Sequence, residues 1–424
     1  MVSMRRTVLL AAVTAVIVTG ALAVRARVVD QRTDVATSGA TTDTSAPEPT
    51  APVGPDPAPA PEPDPSGPGT AAWPSWSGDR PLADPGALYA AGAFHVYGTT
   101  ATMCPPAGAA GDCAELWVPR FTGPTLATPG TLAGDAMPDR PPWVAPEDRQ
   151  IWAPTVAPVG DGFVLYFAAT AGGRPAAGLK CLGTAVAPTP AGPFVPDPVP
   201  LRCTPGYWNL HPAVVDDPAG GGPVLLWRED DREHPTGRIV AARLAPGGRA
   251  LAPGEPATLV EGEQPWEDGY PDPAGDLLGV AGAVTARAPF RAALDADPTG
   301  IGPVENPAMA RHPATGEWLL TWSANRWETH DYATGLATCD GPLGPCRRVS
   351  EAAPWLRTSA DPAVTTSARF GGTGGLSFVG GPDGELYAVL HAYRGEPGDG
   401  ANGDRVGWAY RVAASPDGYR LTEF

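Results

Sequence analysis

Five stretches of the chain repeat one pattern of apolar and polar positions. Each begins with a short apolar or glycine-rich segment, often with proline, and continues through a Gly or Asp turn into a run of aromatic and β-branched residues. Apolar runs on both sides of a tight turn are typical of β-hairpins, so each stretch predicts a strand, a turn and a second strand. The five stretches are residues 83–100, 152–170, 210–230, 304–323 and 371–393.

The spacing of these hairpins predicts their arrangement. Their first residues lie roughly 60–95 positions apart, which leaves room for a four-stranded blade with long loops in each repeat. Few helical patterns separate them, and this favours radial repetition. We therefore predict that residues 73–424 form an all-β fold, a five-bladed β-propeller. A β-sandwich is the alternative, but it does not explain why all five stretches begin alike.

Composition and charge narrow the choice of partner. The 424 residues include 54 Pro and 53 Gly, which break helices and populate turns. The net charge of −17 and the pI of about 4.7 argue against a nucleic-acid partner, which would need clustered Lys and Arg.

The N-terminus predicts export from the cytoplasm. Arg5 and Arg6 precede an apolar run of 17 residues from Val8 to Val24, and Ala21-Leu22-Ala23 fits a cleavage site. The run is also at the short edge of a membrane span, so residues 1–24 are either a signal peptide or an uncleaved anchor, with a membrane tether through residues 8–24. Either way we expect an extracellular protein, secreted or anchored to the outer face of the cytoplasmic membrane.

Residues 25–72 form a predicted disordered linker. The segment is rich in Ser, Thr, Pro and Ala and cannot build a core, so we expect an extended, semi-rigid chain. A stalk is most useful when its far end is held, which favours the anchored form. A disordered leader on a secreted protein is the alternative.

The cysteines fit an oxidising compartment, which favours disulfides. No CxxC metal spacing is present, and six cysteines allow 15 pairings. Proximity favours sequential pairing into three local loops. The six are Cys104, Cys113, Cys181, Cys203, Cys339 and Cys346.

Three of the repeated stretches carry chemistry-bearing residues near their starts. Asp84 and Glu305 stand just ahead of a proline, and His211 takes that place in Leu-His-Pro. The innermost strand of a propeller blade starts near the central axis, so we expect these three side chains to converge on one funnel.

Two carboxylates facing each other across a pocket are the minimal equipment for glycoside hydrolysis. One activates water as a general base and the other protonates the leaving oxygen, and inverting enzymes hold them about 6.5–9.5 Å apart. The plainer interpretation is that Asp-Pro and Glu-Asn-Pro are ordinary turn openers. The sequence contains no GxSxG elbow, no HExxH and no P-loop.

From about residue 79 to the C-terminus, the chain resembles glycoside hydrolase family 43. Five pieces follow one another in the family's order. They are LADPGALYAAGAFHVYGTT, IWAPTVAPVGDGFVLYFAA, CLGTAVAPTPAGPF, VENPAM with GEWLLTWSAN, and ATCDGPLGPC. The resemblance implies a five-bladed propeller that acts on arabinose- and xylose-containing polysaccharides of plant or cell-wall type. It also implies that Asp84 is the general base and Glu305 the general acid.

The chain departs from the family's pattern at two places. Where the third blade carries an Asp-Pro carboxylate that tunes and orients the acid, this chain has His211. Where the fifth blade often carries Gly-Pro-Gly-His, whose His helps to hold a central ion or water, this chain has Gly375. We therefore predict no metal and no cofactor, and a structural ion on the propeller axis is unsupported.

His211 weakens the expectation of catalysis. An anionic neighbour raises the pKa of a carboxylic acid, and a neutral imidazole does little of this. Burial alone could keep Glu305 protonated, or the imidazole could bond the sugar directly. Another acid could serve instead, with Asp216, Asp217 and Glu229 as candidates. The remaining alternative is that the third position has decayed.

Tryptophans are the candidate sugar platforms, although most should fill the core between blades. Trp152 and Trp208 lie next to the starts of their stretches, and Trp327 follows Asn325-Arg326. Trp322 lies inside a strand and is expected in the core.

The leading hypothesis is an extracellular, inverting glycosidase that acts as a monomer. The alternative is a cell-surface propeller that binds glycans without cleaving them. A fructan-cleaving propeller is weaker, because neither Trp-x-Asn-Asp-Pro nor Arg-Asp-Pro occurs.

Overall fold

The computed structural model describes residues 73–105, 111–173, 178–230, 237–267, 304–327, 331–395 and 405–424. The predicted signal or anchor (1–24) and linker (25–72) lie outside these ranges. Apart from one 3-10 turn at Pro265–Glu267, the regular structure of the described residues is all strand. Among those residues, no helix has the length and apolar character needed to cross a membrane.

Five blade sheets form the domain, and each contains four antiparallel strands in chain order, to which the fifth adds one parallel strand. The first has β1 (Gly86–Ala90), β2 (Ala93–Tyr97), β5 (Pro119–Gly123) and β6 (Thr131–Asp135), with a separate hairpin of β3 (Ala101–Met103) and β4 (Ala114–Leu116). The second has β7 (Ile151–Val159), β8 (Gly162–Thr170), β9 (Lys180–Ala187) and β10 (Val195–Pro196). The third has β11 (Trp208–Val215), β12 (Val224–Asp230), β13 (Arg238–Arg243) and β14 (Ala257–Glu261).

The last two sheets complete the set. The fourth has β15 (Val304–Arg311), β16 (Trp318–Ala324), β17 (Ala333–Cys339) and β18 (Cys346–Arg348). The fifth has β20 (Phe370–Gly380), β21 (Leu386–Arg394), β22 (Val406–Ser415) and β23 (Gly418–Thr422), and β19 (Val364–Thr365) adds to it in parallel.

The sheets are arranged as a closed ring. The first strands β1, β7, β11, β15 and β20 each contact the next, and β20 contacts β1. Five apolar clusters fill the spaces between neighbouring blades, one for each pair, including the pair formed by the fifth and first blades. The predicted five-bladed β-propeller is therefore confirmed, and each predicted hairpin supplies the first two strands of one blade.

Residues 73–82 join the last blade to the first. The backbone amide of Trp76 donates to the carbonyl of Gly407 at 2.7 Å, and that of Leu82 donates to the carbonyl of Arg405 at 2.8 Å. The Leu82 side chain is 1% exposed. A Cβ added at Gly98 or Gly407 would lie 2.7 or 2.5 Å from its methyl groups, so both glycines give it space.

Three disulfides join cysteines that are near each other in the sequence. They join Cys104 to Cys113, Cys181 to Cys203, and Cys339 to Cys346. The predicted sequential pairing is confirmed.

Leu82→Ala should destabilise the domain markedly, because it leaves a cavity where the ring closes. We expect a loss of about 2–5 kcal/mol of unfolding free energy, measured by urea titration. Val349→Ala, at a side chain that is 53% exposed, is the control and should change stability by less than about 0.5 kcal/mol. Equal effects of the two substitutions would contradict this account of closure.

Candidate active site

One residue at the start of each blade has a left-handed backbone. The φ angles are 48° at Asp84, 46° at Ala153, 53° at His211, 50° at Asn306 and 54° at Gly375. Outside glycine this conformation is uncommon and is best tolerated by Asn, Asp and His. Such residues cluster where the surrounding structure holds them for function. Their recurrence in all five blades marks the axis as the candidate site.

The five left-handed residues show that one of the three residues predicted to be equivalent is not. Asp84 and His211 occupy equivalent positions, as predicted, but the equivalent residue of the fourth blade is Asn306. Glu305 lies one residue earlier, beside the irregularity that separates its pairing with Ser323 from that of Ala308 with Thr321. Hydrogen bonds through Asn306 and Tyr332 link Glu305 to Asp84.

The five left-handed residues line a central cavity of about 30 Å³. That is room for one or two water molecules. Its lining also includes the residue that follows each of them, which is proline in the first four blades and leucine in the fifth.

Both carboxylate oxygens of Asp84 accept hydrogen bonds, and a guanidinium lies nearby. Thr99 Oγ1 donates to its Oδ2 at 2.7 Å, Asn306 Nδ2 donates to its Oδ1 at 3.0 Å, and Arg405 Nη1 lies 3.8 Å from Oδ1. Burial by itself would raise the pKa of Asp84, but Arg405, the two nearby histidines and Thr99 together hold it well below its usual range. Asp84 is therefore a carboxylate, as a general base must be.

His391 is the second histidine beside Asp84, and it is fully buried. Its Nδ1 accepts the backbone amide of Asp84 at 2.8 Å, and its Nε2 lies 3.1 Å from Arg405 Nη1. Burial, with the guanidinium of Arg405, holds the pKa of His391 well below its ordinary value. The imidazole is therefore neutral at neutral pH.

Glu305 is engaged through both of its carboxyl oxygens. Arg228 Nη1 donates to Oε2 at 2.5 Å, and the Tyr332 hydroxyl donates to Oε1 at 2.8 Å. The side chain is 8% exposed. A carboxyl group that presents its own proton to a substrate must therefore release one of these two contacts.

Arg228 serves a second carboxylate as well as Glu305. Its Nε and Nη2 donate to the two oxygens of Asp230 at 2.7 and 2.6 Å. Burial raises the pKa of Asp230, and Arg228 opposes that rise. Asp230 is thus the carboxylate linked to Glu305, through a shared guanidinium.

The three acids suggested by sequence have other partners or no contact with Glu305 in the part of the chain that is described. Glu229 pairs with Arg202 at 2.7 Å and with Arg238 at 3.2 Å. Asp217 pairs with Arg243 at 2.8 Å, and Asp216 is exposed.

His211 lies close to Glu305 and interacts electrostatically with Asp84. Its Nδ1 is 3.6 Å from Oε2 of Glu305 and has no hydrogen-bond partner. Burial lowers the pKa of His211, although Glu305 and Asp84 oppose the shift. A neutral imidazole therefore occupies the modulating position, where it adds no negative charge.

Asn306 and Tyr332 connect the two carboxylates. Asn306 Nδ2 donates both to Oδ1 of Asp84 and to the Tyr332 hydroxyl, each at 3.0 Å, and that hydroxyl donates to Glu305. These contacts of 3.0, 3.0 and 2.8 Å place the joined oxygens of Asp84 and Glu305 at most about 9 Å apart. The bound is compatible with the ~6.5–9.5 Å separation of inverting glycosidases.

The three predicted sugar platforms are all next to cations. Lys180 Nζ lies 4.4 Å from the ring of Trp152 and 5.8 Å from that of Trp208. The guanidinium of Arg405 lies 4.6 Å from the ring of Trp327. Trp327 is thus linked through Arg405 to Asp84, whereas Trp152 also packs in the cluster between the second and third blades. Trp322 is fully buried, as expected.

Sequence reasoning missed most of the residues that surround the two carboxylates. Asn306 had a visible signal, because it completes the series of residues that precede the prolines. Three of the others, Arg228, Asp230 and His391, lie on second strands, and Tyr332 immediately precedes β17. Nothing in their local sequence points to the axis. Within the described ranges, no group of three or more His, Cys, Asp or Glu side chains could hold a metal ion.

Comparison with known proteins identifies the class. The sequence model described as "Glycosyl hydrolases family 43" matches residues 128–419, which is more than half of the chain. The chain therefore belongs to family 43 of the glycosyl hydrolases, a family of glycosidases, and the resemblance drawn from its motifs is confirmed. The matched range contains His211 and Glu305 and begins after Asp84.

A similar protein of known name agrees with this assignment. A xylosidase/arabinosidase 43A of Humicola insolens is 42% identical over 77 residues, which are 18% of this chain and 20% of that protein. The matched segment thus spans about a fifth of the length of that curated relative.

Solved structures share the fold. A thermostable family-43 glycoside hydrolase has a TM-score of 0.57 at 20% identity, covering 80% of this chain and 92% of that one. An endo-1,4-beta-xylanase of Bacteroides thetaiotaomicron has a TM-score of 0.54 at 21% identity, covering 80% and 94%. An endo-arabinase of the same organism has a TM-score of 0.53 at 17% identity, covering 82% and 99%.

The two histidines beside Asp84, His211 and His391, should make stability depend on pH. Their folded pKa values lie below the unfolded value of about 6.5, so the unfolded state binds more protons as the pH falls below that value. The unfolding free energy should fall between pH 6.5 and pH 5.5 by up to about 1.4 kcal/mol per pH unit for each histidine.

Urea unfolding of the wild type and of His211→Asn at both pH values tests this. The variant should lose less stability on acidification, because one of the histidines is gone. Parallel pH profiles for the two proteins would show that His211 is not held neutral.

Proposed function

We propose that the protein is an extracellular inverting glycosidase that acts on arabinose- or xylose-containing oligosaccharides or polysaccharides. The observation that carries the proposal is the pair Asp84 and Glu305, linked through Asn306 and Tyr332 at one end of the propeller axis. The substrate class is supported by the names of the similar proteins, which are a xylosidase/arabinosidase, a xylanase and an arabinase.

The proposed reaction gives each of the two carboxyl groups one role. Asp84, already ionised, takes a proton from a water molecule whose oxygen forms the new bond to the anomeric carbon. Glu305 gives its proton to the oxygen that leaves as the glycosidic bond breaks. Arg228 must release Oε2 of Glu305 when a substrate binds, while Tyr332 still holds Oε1 and Asp230 retains Arg228.

Removing either carboxylate tests the assignment. We expect Asp84→Asn and Glu305→Gln to lower kcat/KM on aryl α-L-arabinofuranosides, aryl β-D-xylosides or arabinan by about 10²–10⁴-fold, the range of general acid–base catalysis. Asp217→Asn is the matched control, since Asp217 pairs with Arg243 and not with Glu305. Wild-type rates in Asp84→Asn and Glu305→Gln would refute the roles of the two residues.

The extracellular location rests on the N-terminal sequence and is consistent with the three disulfides. Fractionation of cells that produce the full chain should find the propeller outside the cytoplasm, in the medium or on the outer face of the membrane. Recovery of the full-length chain from the cytosol would contradict the proposal.

A second candidate function is glycan binding without cleavage. It is favoured by the ion pair that Arg228 makes with Glu305 and by the neutral imidazole of His211 at the modulating position. A site in which the acid is tied to a cation and its helper carboxylate is missing could hold a sugar and leave the bond intact.

His211→Asp separates the two candidates. If the native site is catalytic and the imidazole of His211 bonds the sugar directly, a carboxylate at this position does not replace that contact, and kcat/KM should fall by about 10-fold or more. The neutral substitution His211→Asn should cost less. A rise in activity in His211→Asp would instead show that the native site is degenerate and would support the binding protein.

A further inference from the structure

Two adjacent glycines of the fifth blade provide space for two aromatic rings. A Cβ added at Gly374 would lie 2.0 Å from Cε1 of Tyr332, and one at Gly375 would lie 2.7 Å from Nδ1 of His391. Both distances are far shorter than a real Cβ contact. Any other residue at either position would therefore displace a ring. This explains why the last two residues of GGTGG are glycines.

The two rings form one buried stack. Their centroids are 5.7 Å apart and their planes differ by 7°. Both residues are fully buried. Offset parallel rings at this separation pack favourably, so each ring limits the movement of the other.

The polar atoms of the stack reach two different residues. The Tyr332 hydroxyl donates to Oε1 of Glu305, and Nδ1 of His391 accepts the backbone amide of Asp84. Tyr332 also accepts a hydrogen bond from Asn306, whose amide nitrogen donates to Asp84 as well. The stack therefore joins the proposed acid to the proposed base along two routes.

We propose that Tyr332 and His391 are positioning residues that together set the placement of Glu305 relative to Asp84. This inference rests on the proposed function and deepens it. Gly374 and Gly375 hold the stack in place by leaving room for it. An inverting reaction needs a gap of fixed width for one water molecule, and a displacement of about 1 Å can cost about 10²-fold in rate.

Substitutions of Tyr332 and of His391 should change the kinetics in different ways. Tyr332 acts on the acid, which matters most when the leaving group needs a proton. In Tyr332→Phe, kcat/KM on a phenyl glycoside should fall by about 30–100-fold, while a 2,4-dinitrophenyl glycoside of the same sugar should lose about threefold or less. KM should stay within about twofold, because the hydroxyl contacts Glu305 and not the sugar.

His391 acts on the base, so its loss should affect both leaving groups alike. His391→Ala should lower kcat/KM by about 10–100-fold on both aryl glycosides. His391→Asn should recover part of this loss, because the side-chain oxygen of asparagine can accept the Asp84 amide in place of Nδ1.

Gly374→Ala tests whether the absence of a side chain at Gly374 is what keeps the Tyr332 ring in place. The added methyl group should displace Tyr332 and reproduce the leaving-group dependence of Tyr332→Phe. Combining the two substitutions should cause little further loss, since they act on the same contact. Gly380→Ala is the matched control, because Gly380 ends the same strand and a Cβ there meets nothing within 4 Å.

The outcomes are distinguishable. A wild type that cleaves both aryl glycosides while Tyr332→Phe loses activity equally on both, or on neither, overturns the role of Tyr332. Unchanged activity in His391→Ala, or no recovery in His391→Asn, overturns that of His391. A wild type that cleaves no glycoside refutes the proposed function itself, and the positioning roles fall with it.

Discussion

The whole site depends on five strands that pack around one axis. Each blade places its first strand at the centre, and a residue in the left-handed conformation lies within or just before each of these strands. That conformation turns the chain so that side chains distant in sequence point toward a common cavity. The energetic cost of four such residues other than glycine is offset by the packing of the ring, which holds all five in place.

Electrostatics around the axis differs from that of the chain as a whole. The protein carries a net charge of −17, yet its axial carboxylates are each matched by a buried or nearly buried guanidinium. Arg405 approaches Asp84, and Arg228 bonds Glu305 and Asp230 together. Charged groups removed from water need such partners. The arrangement keeps Asp84 ionised. In the proposed reaction, substrate binding must also release Glu305 from Arg228.

The fold could be predicted from the sequence because the same hairpin pattern occurs five times along the chain. Apolar runs on both sides of a tight turn predicted the first two strands of every blade, and the repetition itself predicted the ring. The convergence of Asp84, His211 and Glu305 followed from that geometry. The sequential disulfides followed from proximity alone.

The rest of the site could not be predicted because it is not local. Tyr332 and His391 reach the axis only because Gly374 and Gly375, on another strand, leave space for their rings. Arg228 and Asp230 are two residues apart on one strand and read as an ordinary alternating pattern. Their importance comes from Glu305, which is 77 residues away in the chain. Trp152 and Trp208 could be placed near the starts of their blades from the sequence. Their contact with Lys180 could not be predicted.

The central claim is that Asp84 and Glu305 act across a gap that admits one water molecule. The most direct measurement is ¹H NMR of the first sugar released by the wild-type domain from an aryl glycoside, recorded before mutarotation. Attack by water from the face opposite the leaving group predicts that this sugar has the inverted anomeric configuration. Release of a sugar with the configuration of the substrate would contradict the account, because it would require a covalent intermediate and a closer pair of carboxylates.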